Sequence, residues 1–158
     1  MGTRLGVDLG TTWTAAARTR TDGTTEVVSL GTDGAAMPSV VALDGDQVLA
    51  GPPAVRVAAT DPSRAVREFK RRLGDTTPLV VGGTPFGAET LMGHLLAHVL
   101  PAAGEPAPDD VVLTHPAAWG EYKLDLLHEA GRVAGLGQIS LVSEPEAAAR
   151  HYASLGRI

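Results

Sequence analysis

The chain has 158 residues, with 13 Lys+Arg against 18 Asp+Glu and a formal net charge of −5. Its length fits one domain of the commonest size, roughly 100–150 residues, which can bury a core without a metal or disulfide staple. The acidic balance lacks the basic stripe of a nucleic-acid binder. The absence of cysteine removes disulfides, thiol nucleophiles and cysteine metal sites. No run of about 18 apolar residues is present to span a membrane. Asp8 interrupts the apolar core that a signal peptide would need, and without asparagine there is no glycosylation sequon. A soluble, cytoplasmic chain is expected, with neither nucleic acid nor membrane as a partner of this segment.

Leu5, Val7 and Leu9 alternate with Gly6 and Asp8 ahead of Gly10-Thr11-Thr12, which predicts a strand feeding a tight turn. Residues 13–17 predict the return strand, Asp22-Gly23 the next hairpin turn, and Val27-Val28 the strand beyond it. Residues 40–43 and 48–50 flank Asp44-Gly45-Asp46, a further hairpin signal. Pro53 then suits the first turn of a helix over 54–59, which Asp61-Pro62-Ser63 stops. Ala65, Val66, Phe69 and Leu73 offer an apolar face and predict a second helix over 64–73, closed by Gly74. Leu91, Leu95 and Val99 mark a longer helix over 87–100, and Pro101 with the Gly/Pro-rich stretch 104–108 predicts a surface linker. A buried strand at 111–113, a helix at 120–134, a strand at 139–142 and a helix at 145–155 complete the order. Such alternation implies right-handed crossovers and a mixed sheet with helices against it, an α/β fold.

Chemistry concentrates in Gly6-Val7-Asp8-Leu9-Gly10-Thr11-Thr12. A carboxylate at a strand end can hold Mg²⁺ directly or through its waters. A glycine turn with successive amides and two hydroxyls forms a nest of donors for phosphate oxygens. The same spacing also suits an ordinary hairpin turn in which Asp8 faces solvent. It is not a Walker loop, since no G-x-x-x-x-G-K-[ST] occurs. By themselves Lys70-Arg71-Arg72 read as a solvated helix face, Glu144-Pro145 as a helix start, and Pro116 as a strand terminator. His94 and His98 have the i, i+4 spacing of a metal pair but no third ligand, so a surface helix explains them. Asp109-Asp110 read as a solvated turn entering a strand.

Gly6 to Thr12 also resembles the first phosphate motif of the actin-like ATPase superfamily, specifically of the DnaK-type seventy-kilodalton heat-shock chaperones. Further stretches agree in order: Met37-Pro38-Ser39-Val40-Val41, Gly51-Pro52-Pro53-Ala54, Phe69-Lys70-Arg71-Arg72-Leu73-Gly74 and Leu113-Thr114-His115-Pro116-Ala117. Ala130-Gly131-Arg132-Val133-Ala134-Gly135-Leu136 and Glu144-Pro145-Glu146-Ala147-Ala148-Ala149 follow, so the resemblance spans almost the whole chain. It implies an actin-like (ribonuclease H-like) lobe with a five-stranded-type mixed sheet. It also implies ATP or ADP with Mg²⁺ as ligands. Asp8 and Glu144 would order the metal's water shell. Gly10, Thr11 and Thr12, with Trp13 beside them, would contact the phosphates. Lys70 would position the attacking water, a task of placement and charge neutralisation. Pro116 would relay nucleotide state to a peptide-binding part.

The implied function is the N-terminal part of an ATP-hydrolysing chaperone acting on unfolded clients with co-chaperones. Its alternative is a nucleotide sensor or scaffold without foldase activity, while a sugar kinase of the same superfamily fits Phe69-Lys70 and Glu144-Pro145-Glu146-Ala147 poorly. Departures favour attention to that alternative. Leu124 stands where the family often has a coupling arginine, and the segment between Gly74 and Gly87 is short. The chain ends at Ile158 with neither a D-x-G-x-G-T nor a G-G-x-x-R second-lobe motif. Residues 1–158 are therefore expected to be one lobe, inactive alone, with a second lobe and a peptide-binding domain as its partners. Apolar surface left exposed on such a fragment would favour self-association.

Overall fold

The computed structural model describes residues 2–104 and 107–156. Strand β1 (Arg4–Leu9) runs through the turn at Gly10–Thr12 into β2 (Trp13–Thr19), and β3 (Thr25–Val28) returns against it. β4 (Met37–Pro38) adds two residues beside the start of β2. A second layer follows: β5 (Val40–Asp44), β6 (Gln47–Ala50), helix α1 (Pro52–Thr60) and β7 (Ala65–Arg67). The hairpin β8 (Leu79–Val81) and β9 (Thr84–Phe86) leads into α2 (Ala88–Ala102). β10 (Asp110–His115), α3 (Glu121–Val133), β11 (Ser140–Ser143) and α4 (Glu144–Ser154) complete the chain.

The main sheet has the order β11-β10-β1-β2-β3, with β4 pairing off β2. β1, β10 and β11 are mutually parallel, whereas β2 and β3 are antiparallel to their neighbours. This is the expected mixed sheet, five strands along its path plus the short β4. Alternation in β1 places Leu5, Val7 and Leu9 in the core and leaves Gly6 and Asp8 on the open face. Leu91, Leu95, Leu96 and Val99 of α2 pack against that apolar row with Leu113 and Leu127. Burying each such side chain contributes about 1.5–3 kcal/mol. α2 and α3 cross closely at Gly93, where an added Cβ would lie 2.5 Å from the Val133 side chain and 2.9 Å from the Ala130 carbonyl. A smaller core of Val40, Ala42 and Ala54 seats α1 on the sheet β6-β5-β7.

The predicted helix over 64–73 does not form. Asp61 caps only a single 3₁₀ turn, Pro62–Arg64, by accepting from the Ser63 amide at 3.1 Å. Ala65–Arg67 then pairs with the edge of β5, Val66 opposite Val41, so the unpaired backbone of that edge wins over the local helical spacing. Glu68 takes a left-handed conformation (φ 56°), and a second 3₁₀ turn, Phe69–Arg72, follows. The hairpin at 79–86 was absent from the sequence reading, although Gly82-Gly83, both at positive φ, is the expected chemistry for its two-residue turn. Helix α2 runs through Pro101 to Ala102, past the predicted end. Of the linker predicted at 104–108, Glu105 and Pro106 lie outside the described residues. Among the described residues no helix is long and apolar enough to cross a membrane.

Candidate functional site

Because β1, β10 and β11 run in one direction, their C-terminal ends open onto the same edge of the sheet. Such edges are where open α/β sheets take ligands. Here they place Asp8 at the end of β1, Thr114 at the end of β10, and Glu144 directly after β11. The Thr114 hydroxyl donates to Asp8 Oδ1 at 3.2 Å, which fixes one carboxylate oxygen and leaves the other open. Ser143 caps α4 by accepting from the Glu146 amide at 3.4 Å, with Pro145 in the first turn, so Glu144 stands at the positive end of the helix.

An open hollow of about 240 Å³ lies at this edge, lined by Thr11, Lys70, Arg71, Pro116, Trp119, Lys123 and Glu144. Lys70 is the one buried charged side chain among the described residues, at 8% exposure. Phe69 anchors its 3₁₀ turn in the core, and the turn delivers the ammonium to the hollow. A buried ammonium requires a counter-charge, and Lys70 Nζ meets Glu144 Oε1 at 3.2 Å. The same Nζ lies 5.6 Å from the centroid of the Trp119 ring, within cation–π range. Lys70 is therefore not part of a solvated face. Arg71 alone of the basic run is largely exposed, and Arg72 pairs with Asp75 on the surface.

The turn after β1 is compressed. A Cβ on Gly10 would fall 2.2 Å from the Trp13 carbonyl oxygen, so no other residue fits without moving the turn. Ser39, nearly fully buried, staples it: its hydroxyl donates to the Gly10 carbonyl at 2.7 Å, and its amide donates to the Thr12 carbonyl at 2.9 Å. Thr14 Oγ1 completes the link at 2.8 Å from Ser39 Oγ. The Thr12 side chain is exposed outside the hollow. Trp13 is turned away from it and lines a different, larger hollow of about 580 Å³ with residues 31–34, Ala36 and Pro38, whose only titratable side chain is Asp33. The smaller hollow gathers three cations and a carboxylate, whereas the larger carries only the Asp33 carboxylate.

Thus Thr11, Lys70, Pro116 and Glu144 line one hollow, with Asp8 at the same sheet edge. Gly10 shapes the turn, while Thr12 and Trp13 do not line the charged hollow. Ser39, Thr114, Trp119 and Lys123 were missed as site residues. Ser39 and Thr114 lie inside motifs read for resemblance only, and Trp119 and Lys123 carry no local signal beyond residue type. His94 and His98 do not reach the site: His94 packs edge-on to Phe86, and burial holds both imidazoles below their ordinary value. Among the described residues no three His, Asp or Glu side chains gather closely enough to hold a metal ion.

The family model described as Hsp70 protein matches residues 4–81. A chaperone protein DnaK of Elusimicrobium minutum (strain Pei191) is 39% identical over 158 residues, covering 94% of this chain and 25% of that relative. The corresponding proteins of Endomicrobium trichonymphae and Cenarchaeum symbiosum (strain A) are 35% and 34% identical over 155 residues each. These alignments cover 94% and 91% of this chain, and 25% and 23% of the relatives. The chain spans about a quarter of the length of the curated relatives it matches.

Proposed function

The chain belongs to the Hsp70 family, and from that premise we propose that its charged hollow takes the phosphate end of ATP or ADP in a DnaK-like chaperone. Its fold is an actin-like ATPase (ribonuclease H-like) lobe. One observation carries the reading. A buried lysine, paired to a carboxylate, stands beside a compressed glycine–threonine turn at the C-terminal ends of three parallel strands. An ammonium kept dry and pre-positioned acts on developing phosphoryl charge far more strongly than one in water.

On this reading the backbone amides of the Gly10–Thr12 turn and the Thr11 hydroxyl cradle the β- and γ-phosphates, while the Thr12 side chain and Trp13 stand outside the charged hollow. Lys70 exchanges part of its contact with Glu144 for a phosphate oxygen and for the attacking water. The water oxygen bonds the terminal phosphorus as the bond to the bridging oxygen breaks, leaving ADP, inorganic phosphate and a proton. Asp8, held by Thr114, and Glu144 offer hard oxygen donors at the same sheet edge. Two separated carboxylates fit Mg²⁺ held through its waters rather than by direct ligation, as this ion keeps several waters. When bound, Mg²⁺ neutralises phosphate charge. Pro116, whose carbonyl accepts from the Trp119 amide at 3.2 Å, would carry the state of the hollow toward α3. Leu124 on α3 offers no cation for onward coupling to a peptide-binding part.

For the complete protein the reading implies ATP-gated binding of unfolded clients, aided by co-chaperones, in the cytoplasm. Residues 1–158 would then form one wall of the cleft and a second lobe the other. Lys70→Ala in the complete protein should lower ATP turnover about 100-fold or more while nucleotide affinity changes by only a few-fold. Unchanged turnover sinks the assignment.

A further inference from the structure

The hollow carries a second ammonium without a counter-charge. Lys123, in the first turn of α3, lines it together with Lys70 and Arg71, against the single carboxylate of Glu144. Glu144 is already taken by Lys70 at 3.2 Å, and Arg71 has Glu68 at 3.7 Å on the surface. Among the described residues no carboxylate lies within ion-pair distance of Lys123. Its Nζ lies 5.8 Å from the centroid of Trp119, the same ring that Lys70 approaches at 5.6 Å. The stem is guided there past Gly74, where an added Cβ would sit 3.6 Å from Lys123 Cε.

These are the only two lysines of the chain, and both converge on one indole in a protein whose net charge is −5. Two ammonium groups at one site repel each other. The cation–π contacts offset that only in part, whereas an anion held by both ammonium groups removes it. An ammonium on a flexible stem also suits a single oxygen, a point contact rather than a planar fork.

We propose that Lys123 is a further anion-contacting residue, gripping with Lys70 the terminal phosphate oxygens of a polyphosphate across the Trp119 ring. The proposal rests on the phosphate reading of the hollow and adds to it a residue outside the motifs that carried the resemblance.

Calorimetric titration of the complete protein with pyrophosphate tests it, followed in parallel by the Trp119 indole N–H resonance. Lys123→Gln should weaken pyrophosphate about tenfold, the loss of one charge-assisted contact. Lys123→Arg should recover most of that loss, and the difference should shrink as salt is raised. In the wild type the Trp119 resonance should shift along the same saturation curve. Wild-type affinity in Lys123→Gln, with saturable binding in the wild type, would overturn the role of Lys123 and leave the phosphate hollow standing. Absence of saturable pyrophosphate binding to the wild type would overturn both.

Discussion

Lys70 Nζ and Glu144 Oε1 lie 3.2 Å apart although 74 positions separate them in the chain. The contact joins a 3₁₀ turn at the end of the second layer to the start of α4, and so ties two parts of the fold across the hollow. Lys70 is almost fully enclosed, whereas Glu144 is nearly half exposed. The pair therefore matters less for attraction than for avoiding an uncompensated ammonium. Glu144→Gln should cost about 1–2 kcal/mol, below the usual cost of breaking a buried pair because water reaches Glu144. Adding Lys70→Met should return much of that stability, since the buried charge is then gone. Thermal or denaturant unfolding of the two single variants and the double variant would show it. Strictly additive losses would mean that the pair does not govern stability here.

The staple under the phosphate turn makes a second prediction. Ser39→Ala removes the donor to the Gly10 carbonyl and the partner of Thr14 Oγ1, both in a buried setting. Leaving such groups unpaired costs about 1–3 kcal/mol. Gly10→Ala strikes the same turn by sterics, because its Cβ would collide with the Trp13 carbonyl. Both variants should weaken pyrophosphate or nucleotide binding together with stability. A Gly10→Ala chain that keeps wild-type stability would show that the turn relaxes freely.

How far the sequence disclosed this arrangement depends on the range of the forces involved. The strand and turn over 5–12, the long helix near 87–100 and the closing strand–helix alternation rest on periodicity and turn chemistry, which are local and so readable. Residues 64–73 are the opposite case. Ala65, Val66, Phe69 and Leu73 have helical spacing, yet the outcome is decided by hydrogen bonds to Val40, Val41 and Ala42, some 25 residues earlier. Burial of Lys70 was invisible for the same reason, since it depends on Phe69 finding the core and on Glu144 arriving from the far end of the chain. Nor does the sequence reveal that glycine at position 10 is required for space, against the Trp13 carbonyl. Trp13 joins the phosphate contacts only through the resemblance, and the hairpin geometry carries its side chain elsewhere.

A third prediction concerns the helix crossing that supports the sheet. Gly93 lets α2 approach α3 closely, and the space a Cβ would need is occupied by Val133 and by the Ala130 carbonyl. Gly93→Ala should gain helix propensity of about 1 kcal/mol and lose about 1–3 kcal/mol to overpacking, a net destabilisation. Pairing it with Val133→Ala opens the space again, so the double variant should regain most of the loss in a denaturant midpoint. If Gly93→Ala stabilises by itself, the crossing is looser than its geometry indicates.

The last prediction concerns pH. Burial holds His94 and His98 below the ordinary imidazole value of 6.5. His94 stands edge-on to Phe86, and His98 Nε2 lies 3.5 Å from where a Cβ on Gly51 would sit. In the unfolded chain both titrate near 6.5, so between the folded values and 6.5 the unfolded state binds more protons. Stability therefore rises with pH through that window. It is complete above about 6.5 and is lost as the pH falls toward the folded values. The melting temperature should drop between about pH 7.5 and 5.5, and a His94→Gln/His98→Gln chain should show a flatter profile. A wild-type profile that is flat over this range, or one that the double substitution leaves unchanged, would mean that both rings are hydrated in the folded chain as fully as in the unfolded one.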